Sequence, residues 1–449
     1  MLDRNKVFGL FEQQAGKTET RVREGIEKNR KGDAVVRVRG TDGAPITNAR
    51  VSIEQKTHAF RFGVNLFMLD ELESDEKNEK YKRIVADTFN MATLPFYWDA
   101  TEPVRGQTRY AKDSTPLYRR PTIDRCMEFC ERNGIEPREH GLAYEAFFPK
   151  WLYGADTATV KRELERRYRE IATRYADRIR TIEVTNEMEW TQGKTAFYDA
   201  SDYVEWCFRL AEQYFPQNQL VINEHTRAAW EDCCRATDKY YAYTEAAMAK
   251  GVRIDAIGMQ YHMFHLFENN YQRAENLCNP ERLFAHMDLY AELGKPLQIT
   301  EVTVPAYSDK AEDEAIQAEL LRNLYRIWFS HPAVEQIVYW NLIDGYAHLW
   351  DPSPEKIRAS QGDMTLGENV YYGGLLRFDL SAKPAFYALK DLIEREWHTA
   401  AQIATDSSGT AGFRGFYGTY EITVAYGEKT ITRTVELKKN AKNVFEFDI

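Results

Sequence analysis

The runs Ile182-Glu183-Val184-Thr185-Asn186-Glu187 and Leu297-Gln298-Ile299-Thr300-Glu301-Val302 decide how this chain is read. Each is a short stretch rich in β-branched residues, the composition of a buried strand, and each carries a glutamate at or near its end. The two glutamates, Glu187 and Glu301, lie 114 positions apart. A strand whose last inward position is a carboxylate points that charge into the mouth of a barrel.

Outward from these runs, strand-like and helix-like segments alternate eight times between residues 60 and 396. The predicted strands are 60–66, 91–98, 136–142, 181–187, 220–226, 254–262, 297–303 and 336–344. Helical patterns lie between them, among them 158–176, with an Arg/Glu-rich face, and 312–330. Eight βα units in series predict an α/β protein of the (β/α)8 TIM-barrel type rather than an open doubly wound sheet. No glycine-rich phosphate fingerprint follows the first strand, which weighs against a dinucleotide fold.

The flanks alternate with a period of two. Residues 33–57 turn at Asp42-Gly43-Ala44-Pro45 and read as a β-hairpin. Residues 411–449 contain Tyr420-Glu421-Ile422-Thr423-Val424, a turn at Gly427, and a final Val444-Phe445-Glu446-Phe447. A lone hairpin is marginal in water, so both ends are expected to join in one small β-sandwich with the barrel inserted between them. The predicted organisation is 1–58 (an N-terminal helix and half of the sandwich), 59–398 (the barrel) and 399–449 (the other half). The halves resemble a split transthyretin-like or carboxypeptidase-regulatory-like β-sandwich.

A chain of 449 residues, 43% hydrophobic and 29% charged, is an ordinary globular composition. Its net charge of −10 argues against nucleic acid and anionic membranes as partners. No stretch approaches the length of a membrane span. The charged N-terminus lacks a signal-peptide pattern, which predicts a cytoplasmic protein, or a secreted one if a leader has been removed. Six cysteines without CxxC spacing read as buried free thiols.

Strands four and seven face each other across the mouth of an eight-stranded barrel, so Glu187 and Glu301 can share one site. A retaining glycosidase needs two carboxyls about 5 Å apart, one as nucleophile and one as acid and then base. The acid must hold its proton near neutral pH, and a neighbouring negative charge favours that. Gln260 and His262, two apart on one strand face, both point inward, and an imidazole N–H donated to Glu301 would keep that carboxylate ionised and oriented. Asn186 precedes Glu187 and faces the other way on an ideal strand, so a shared site requires a local bulge.

Several motifs together resemble the family 10 glycoside hydrolases, retaining endo-β-1,4-xylanases, from about residue 60 to 392. IEVTNE (182–187) resembles the acid/base segment, with Asn186 placed to bond a sugar 2-hydroxyl. ITEV (299–302) resembles the nucleophile segment, and IGMQYH (257–262) the sixth-strand motif that sets Gln260 and His262 beside it. In REHGLAYEAFFPKW (138–151), His140 matches a sugar-binding histidine. In YWNLIDGYAHLW (339–350), Trp340 and Trp350 would wall the sugar site. The resemblance implies hydrolysis of β-linked xylan or xylo-oligosaccharide by Glu301 and Glu187, without metal or organic cofactor.

The chain also departs from the pattern. Leu94 and Tyr97 stand where the family carries an asparagine and a lysine that bind sugar upstream of the cut, and Tyr144 replaces a tryptophan. An altered substrate, such as β-glucan, an aryl β-xyloside or a glycosylated small molecule, is the alternative; a non-catalytic carbohydrate-binding barrel is a weaker one. A loop over 350–374, with Asp351, Arg358, Tyr371 and Tyr372, is expected to overhang the cleft.

Overall fold

The computed structural model describes residues 3–190, 193–265, 276–349 and 362–449. Strands β1 (Lys31–Arg39) and β2 (Arg50–His58) precede β3 (Arg61–Asn65), β4 (Met91–Pro95), β5 (Glu136–His140), β6 (Thr181–Asn186), β7 (Gln219–Glu224), β8 (Ala256–His262), β9 (Leu297–Thr303) and β10 (Val334–Tyr339). These last eight close into a parallel barrel, β10 returning to pair with β3. The anticipated barrel is therefore present. The second strand stops at Pro95 rather than 98, because a short helix, Trp98–Thr101, begins there. The eighth ends at Tyr339, and the chain from Trp340 onward forms rim instead of sheet.

The outward faces of the strands are aliphatic and meet the helices: Ile182, Val184, Leu220, Ile222, Ile257 and Ile299 are all sealed from solvent. Each such side chain contributes about 1.5–3 kcal/mol relative to leaving it in water. The interior of the barrel is polar. At its amino end Gln336 Nε2 donates to Gln298 Oε1 (3.1 Å), and Gln298 Nε2 donates to Glu335 Oε1 (2.8 Å) and Gln219 Oε1 (3.2 Å). This floor satisfies its own amides and leaves the residues above it aimed at the mouth.

Two N-terminal helices, Arg4–Gln13 and Ala15–Arg30, precede β1, and the second packs on the outer helix Ala311–Ser330. The Arg30 guanidinium donates to the carbonyls of Phe329, His331 and Val334 (2.5, 2.6 and 2.7 Å), closing the end of that helix with a cation.

After the barrel come β11 (Ala400–Ala404), β12 (Thr410–Phe416), β13 (Gly418–Tyr426), β14 (Lys429–Leu437) and β15 (Val444–Asp448). Sheets β12-β1-β15 and β11-β2-β13-β14 each combine strands from both ends of the chain. The expected hairpin of β1 with β2 is not formed: the two strands belong to different sheets, and in place of β2, β1 meets the connection that follows it, through a bridge between Arg39 and Pro45 and a bond from Ile46 N to the Val38 carbonyl (3.1 Å). Each has one buried face, and the 40–49 connection carries the chain across to the other sheet. Val36, Val38, Val51, Ile53, Ile422 and Val424 fill the space between them. The hairpin at Gly427, β13 with β14, is present.

All six cysteines are free thiols, but Cys233 is only partly buried and Cys234 is exposed, against the expectation of burial for both. They lie in the turn-rich stretch before the helix Lys239–Ala249, outside any core layer.

Candidate active site

Glu187 leaves β6 in a left-handed conformation, φ +52°. The pairing of β6 with β7 also shifts register between Glu183 and Thr185. These two irregularities are the bulge the sequence required: they turn Glu187 to the same side as Asn186. The carboxylate of Glu187 accepts from Tyr144 Oη at 2.5 Å on Oε2 and from Gln260 Nε2 at 3.0 Å on Oε1. Its carbonyl accepts from Trp190 N (3.1 Å) and from the Tyr198 hydroxyl, fixing the turn.

A second buried acid braces that turn. Glu224, the last residue of β7, accepts from Glu189 N (2.9 Å), His225 N (2.9 Å) and Tyr243 Oη (3.0 Å). Burial, reinforced by the charges of Glu187 and Glu189, pushes its pKa up to about 8. A largely protonated carboxyl here keeps the group from adding another full negative charge beside Glu187.

Glu301 sits inside β9. Asn223 Nδ2 lies 3.1 Å from its Oε1 and His262 Nε2 lies 3.1 Å from its Oε2. Thr303 Oγ1 meets the other ring nitrogen of His262 at 3.0 Å. Burial lowers the His262 pKa to about 4, so the ring is neutral; with the proton on Nε2 it donates to Glu301 and accepts from Thr303. Burial, followed by the charges of Glu183 and Glu187, raises the Glu301 pKa from 4.5 to about 8, and His140 opposes the shift. The expected imidazole contact exists, yet desolvation outweighs it.

Asn223 is the hub. Besides Glu301, its Nδ2 lies 2.9 Å from Asn186 Oδ1 and 3.3 Å from Glu183 Oε2, while its Oδ1 accepts from Thr300 Oγ1 at 2.7 Å. Gln260 Nε2 in turn reaches Asn186 Oδ1 at 3.2 Å. Side-chain amides thus run unbroken from Glu301 through Asn223, Asn186 and Gln260 to Glu187. Asn186 Nδ2, buried and without a protein partner, is left as a donor.

Beneath Glu301 lies a charged layer. Arg138 and Glu183 are fully buried and bonded to each other, and His140 Nδ1 meets Glu183 Oε1 at 2.6 Å. Burial depresses the His140 pKa, but the Glu183 carboxylate and Glu301, 4.0 Å away, outweigh it and raise it overall. Tyr97 Oη occupies the other ring nitrogen at 2.9 Å. His140, 1% exposed, therefore has both nitrogens engaged by protein and serves as a support for the site. His140, Glu183 and Glu301 offer atoms within 4.8 Å of one another, a spacing a metal could use, but the Arg138 guanidinium already supplies a cation to Glu183.

The glycosyl hydrolase family 10 model matches residues 55–391. The chain belongs to glycosyl hydrolase family 10. The anti-sigma-I factor RsgI6 of Acetivibrio thermocellus is 27% identical over 427 residues, covering 93% of this chain and 48% of that protein. Endo-1,4-beta-xylanase 2 of Arabidopsis thaliana is 25% identical over 419 residues, covering 92% of this chain and 34% of the relative. Endo-1,4-beta-xylanase B of Thermotoga neapolitana is 25% identical over 339 residues, 71% of this chain and 84% of the relative. The chain spans about half or less of the length of the first two relatives. Native xylanase 10B from Thermotoga maritima matches with a TM-score of 0.56 at 22% identity, over 75% of this chain and 96% of that one, a likeness of fold.

One wall of this family 10 cleft is aromatic. Phe67, Tyr97 and Trp340 form a small cluster with Tyr144 and Phe147 packed against it. Trp340, 5% exposed, sets its ring edge-on to His140 (5.3 Å) and His262 (5.8 Å). Trp350, Asp351 and Arg358 lie outside the described residues. Tyr371 stacks on Phe264 (5.1 Å), which stacks on His262 (4.4 Å), so part of the predicted overhanging loop does reach the site. Leu94 is buried in the main core, away from the aromatic cluster.

The sequence reading missed Asn223, Glu183, Glu224 and Trp190. The first three end or occupy inward strand positions, as Glu187 does, and that shared periodicity was the available signal. Trp190, three residues beyond Glu187, keeps 54% of its surface exposed with its ring edge-on to His225.

Proposed function

We propose that this protein is a retaining glycoside hydrolase acting on β-1,4-linked xylan or xylo-oligosaccharides. The observation that carries the reading is the continuous chain of amides joining the carboxyls of Glu187, at the exit of β6, and Glu301, within β9, inside a family 10 barrel. Ionised Glu301 attacks the anomeric carbon, and the bond to the leaving oxygen breaks as Glu187 hands it a proton. Glu187, now a carboxylate, takes a proton from water, whose oxygen displaces Glu301 and releases sugar of retained configuration. Asn186 Nδ2 is the unpaired donor for a sugar hydroxyl beside the reacting carbon, and burying that hydroxyl without it would cost about 1–3 kcal/mol. Sugar hydroxyls that donate to Glu301 on binding stabilise it as the anion the first step needs.

Tyr97 favours a second reading within the same chemistry. It replaces a hydrogen-bonding wall by an aromatic one and claims His140 for itself. A site so lined discriminates differently upstream of the cut. Time-resolved product analysis on xylan, xylo-oligosaccharides, β-glucan and aryl β-xylosides tests both. Early mixed xylo-oligomers support xylan hydrolysis; turnover restricted to β-glucan or aryl glycosides replaces it with the shifted specificity.

A further inference from the structure

We infer that the adjacent pair Arg119 and Arg120 forms a binding site for a carboxylate carried by the substrate, so that the upstream end of the cleft selects sugars bearing a uronic acid. This rests on the reading that the cleft takes β-linked sugars.

The pair lies in the loop between the short helix Trp98–Thr101 and the helix Ile123–Asn133, on the strand-end face of the barrel. Arg109 fastens this loop, donating from Nη2 to the Arg120 carbonyl at 2.5 Å and from Nε to that of Thr115. The Arg120 guanidinium stands 4.1 Å from the centre of the Tyr97 ring, 5.3 Å from Phe67 and 5.4 Å from Phe147. These are the rings of the aromatic wall, and Tyr97 is bonded through His140 to the layer under Glu301. Arg119 leans on Phe67 at 5.7 Å and donates to the Tyr346 carbonyl, while its buried Nε has no hydrogen-bond partner.

Among the described residues neither guanidinium has a carboxylate within 4.0 Å. Among the described residues the one hydrogen bond of the Arg120 guanidinium is from Nη1 to the Arg119 carbonyl, 2.9 Å. The acids that act on Arg120 from farther off are Asp99 and Glu368, and Glu368 is already bonded by Asn341 Nδ2 at 2.8 Å. Two like charges held side by side against apolar rings lack the counter-charge that such burial demands. Arg120 is only partly buried, so an anion from the cleft can reach it. A guanidinium fork matches a carboxylate in two parallel hydrogen bonds, and Phe147 and Tyr144, the partly exposed rings of the wall, suit the apolar face of a pyranose. A uronic acid offers both surfaces at once.

The test uses the full chain with xylotetraose and with xylotetraose carrying one glucuronic acid side group. The ratio of kcat/KM, branched over unbranched, should fall about tenfold in Arg120→Gln, the scale of one charge-assisted contact, with Arg120→Lys between it and the parent. A ratio unchanged in both variants overturns the inference. Calorimetric titration of the Glu301→Gln protein separates this from failure of the proposed activity. Tighter binding of the branched sugar, abolished by adding Arg120→Gln, supports the inference even if no sugar is turned over. Turnover of xylan with equal binding of both sugars removes the uronic acid preference and leaves the activity. Inorganic phosphate bound through Arg120 as tightly as the branched sugar would mean a free small anion is the ligand, and would also overturn it.

Discussion

Tyr144 Oη lies 2.5 Å from Oε2 of Glu187, on the oxygen that Gln260 leaves free. In the second step, when Glu187 acts as a base, these two donors orient the carboxylate toward the water it activates. Removing the hydroxyl should therefore weaken the second chemical step more than the first. Tyr144→Phe is expected to lower kcat on an activated aryl xylobioside, where release of the glycosyl enzyme limits, by about tenfold. The effect on kcat/KM for the same substrate, which reports the first step, should stay within about threefold. Equal losses in both would make Tyr144 a simple packing residue.

The two carboxylates should separate by leaving group. Glu301→Ala should abolish turnover on every substrate. Glu187→Ala should leave the first step nearly intact for a nitrophenyl leaving group, which needs no proton, and slow it by about 10²–10⁴-fold for a sugar leaving group. Pre-steady-state bursts of nitrophenol read the first step directly; equal loss on both leaving groups would reverse the assignment.

Stability should carry the mark of Glu301. Its pKa is raised in the fold from 4.5 to about 8 by burial. Between those values the folded protein holds a proton that the unfolded chain has released, so this group's contribution to stability falls as pH rises. Glu301→Gln removes the titration, and its melting temperature relative to the parent should climb from pH 5 to pH 8.5. A constant difference over that range would mean that the group is ionised in the empty fold. The same shift puts the acidic limb of kcat/KM above the usual carboxylate range, since the ionised form is the nucleophile.

Gly258 makes room for the hub. A Cβ at this position of β8 would stand 2.3 Å from Asn223 Oδ1 and 2.8 Å from its Cγ. Gly258→Ala should cost about 1–3 kcal/mol, seen as a lower Tm, and should reduce kcat because Asn223 cannot move without releasing Asn186 and Glu301. Retained kcat alongside a lowered Tm would show that the hub tolerates displacement.

The barrel was legible because buried parallel strands between amphipathic helices repeat their pattern eight times, and Glu187 and Glu301 stood out as charges ending apolar runs. Asn223 and Glu183 obey the same alternation but are ordinary polar letters until their partners on neighbouring strands are known. Tyr97 was recognised as a departure, yet its bond to His140 joins positions 43 apart and has no local signal. The β1–β2 hairpin failed for a related reason: alternation announces a strand and its buried face, whereas the choice of neighbour depends on residues hundreds of positions away.

That choice of neighbour has a consequence during synthesis. β1 pairs with β12 and β15, and β2 with β11 and β13, so both early strands wait for partners encoded after the whole barrel. At ~5–20 residues per second, the interval between β1 and β12 lasts roughly 20–75 s. Throughout it, two strands with one apolar face each remain unpaired beside a ribosome making further copies, the circumstance in which edges of neighbouring nascent chains can stick.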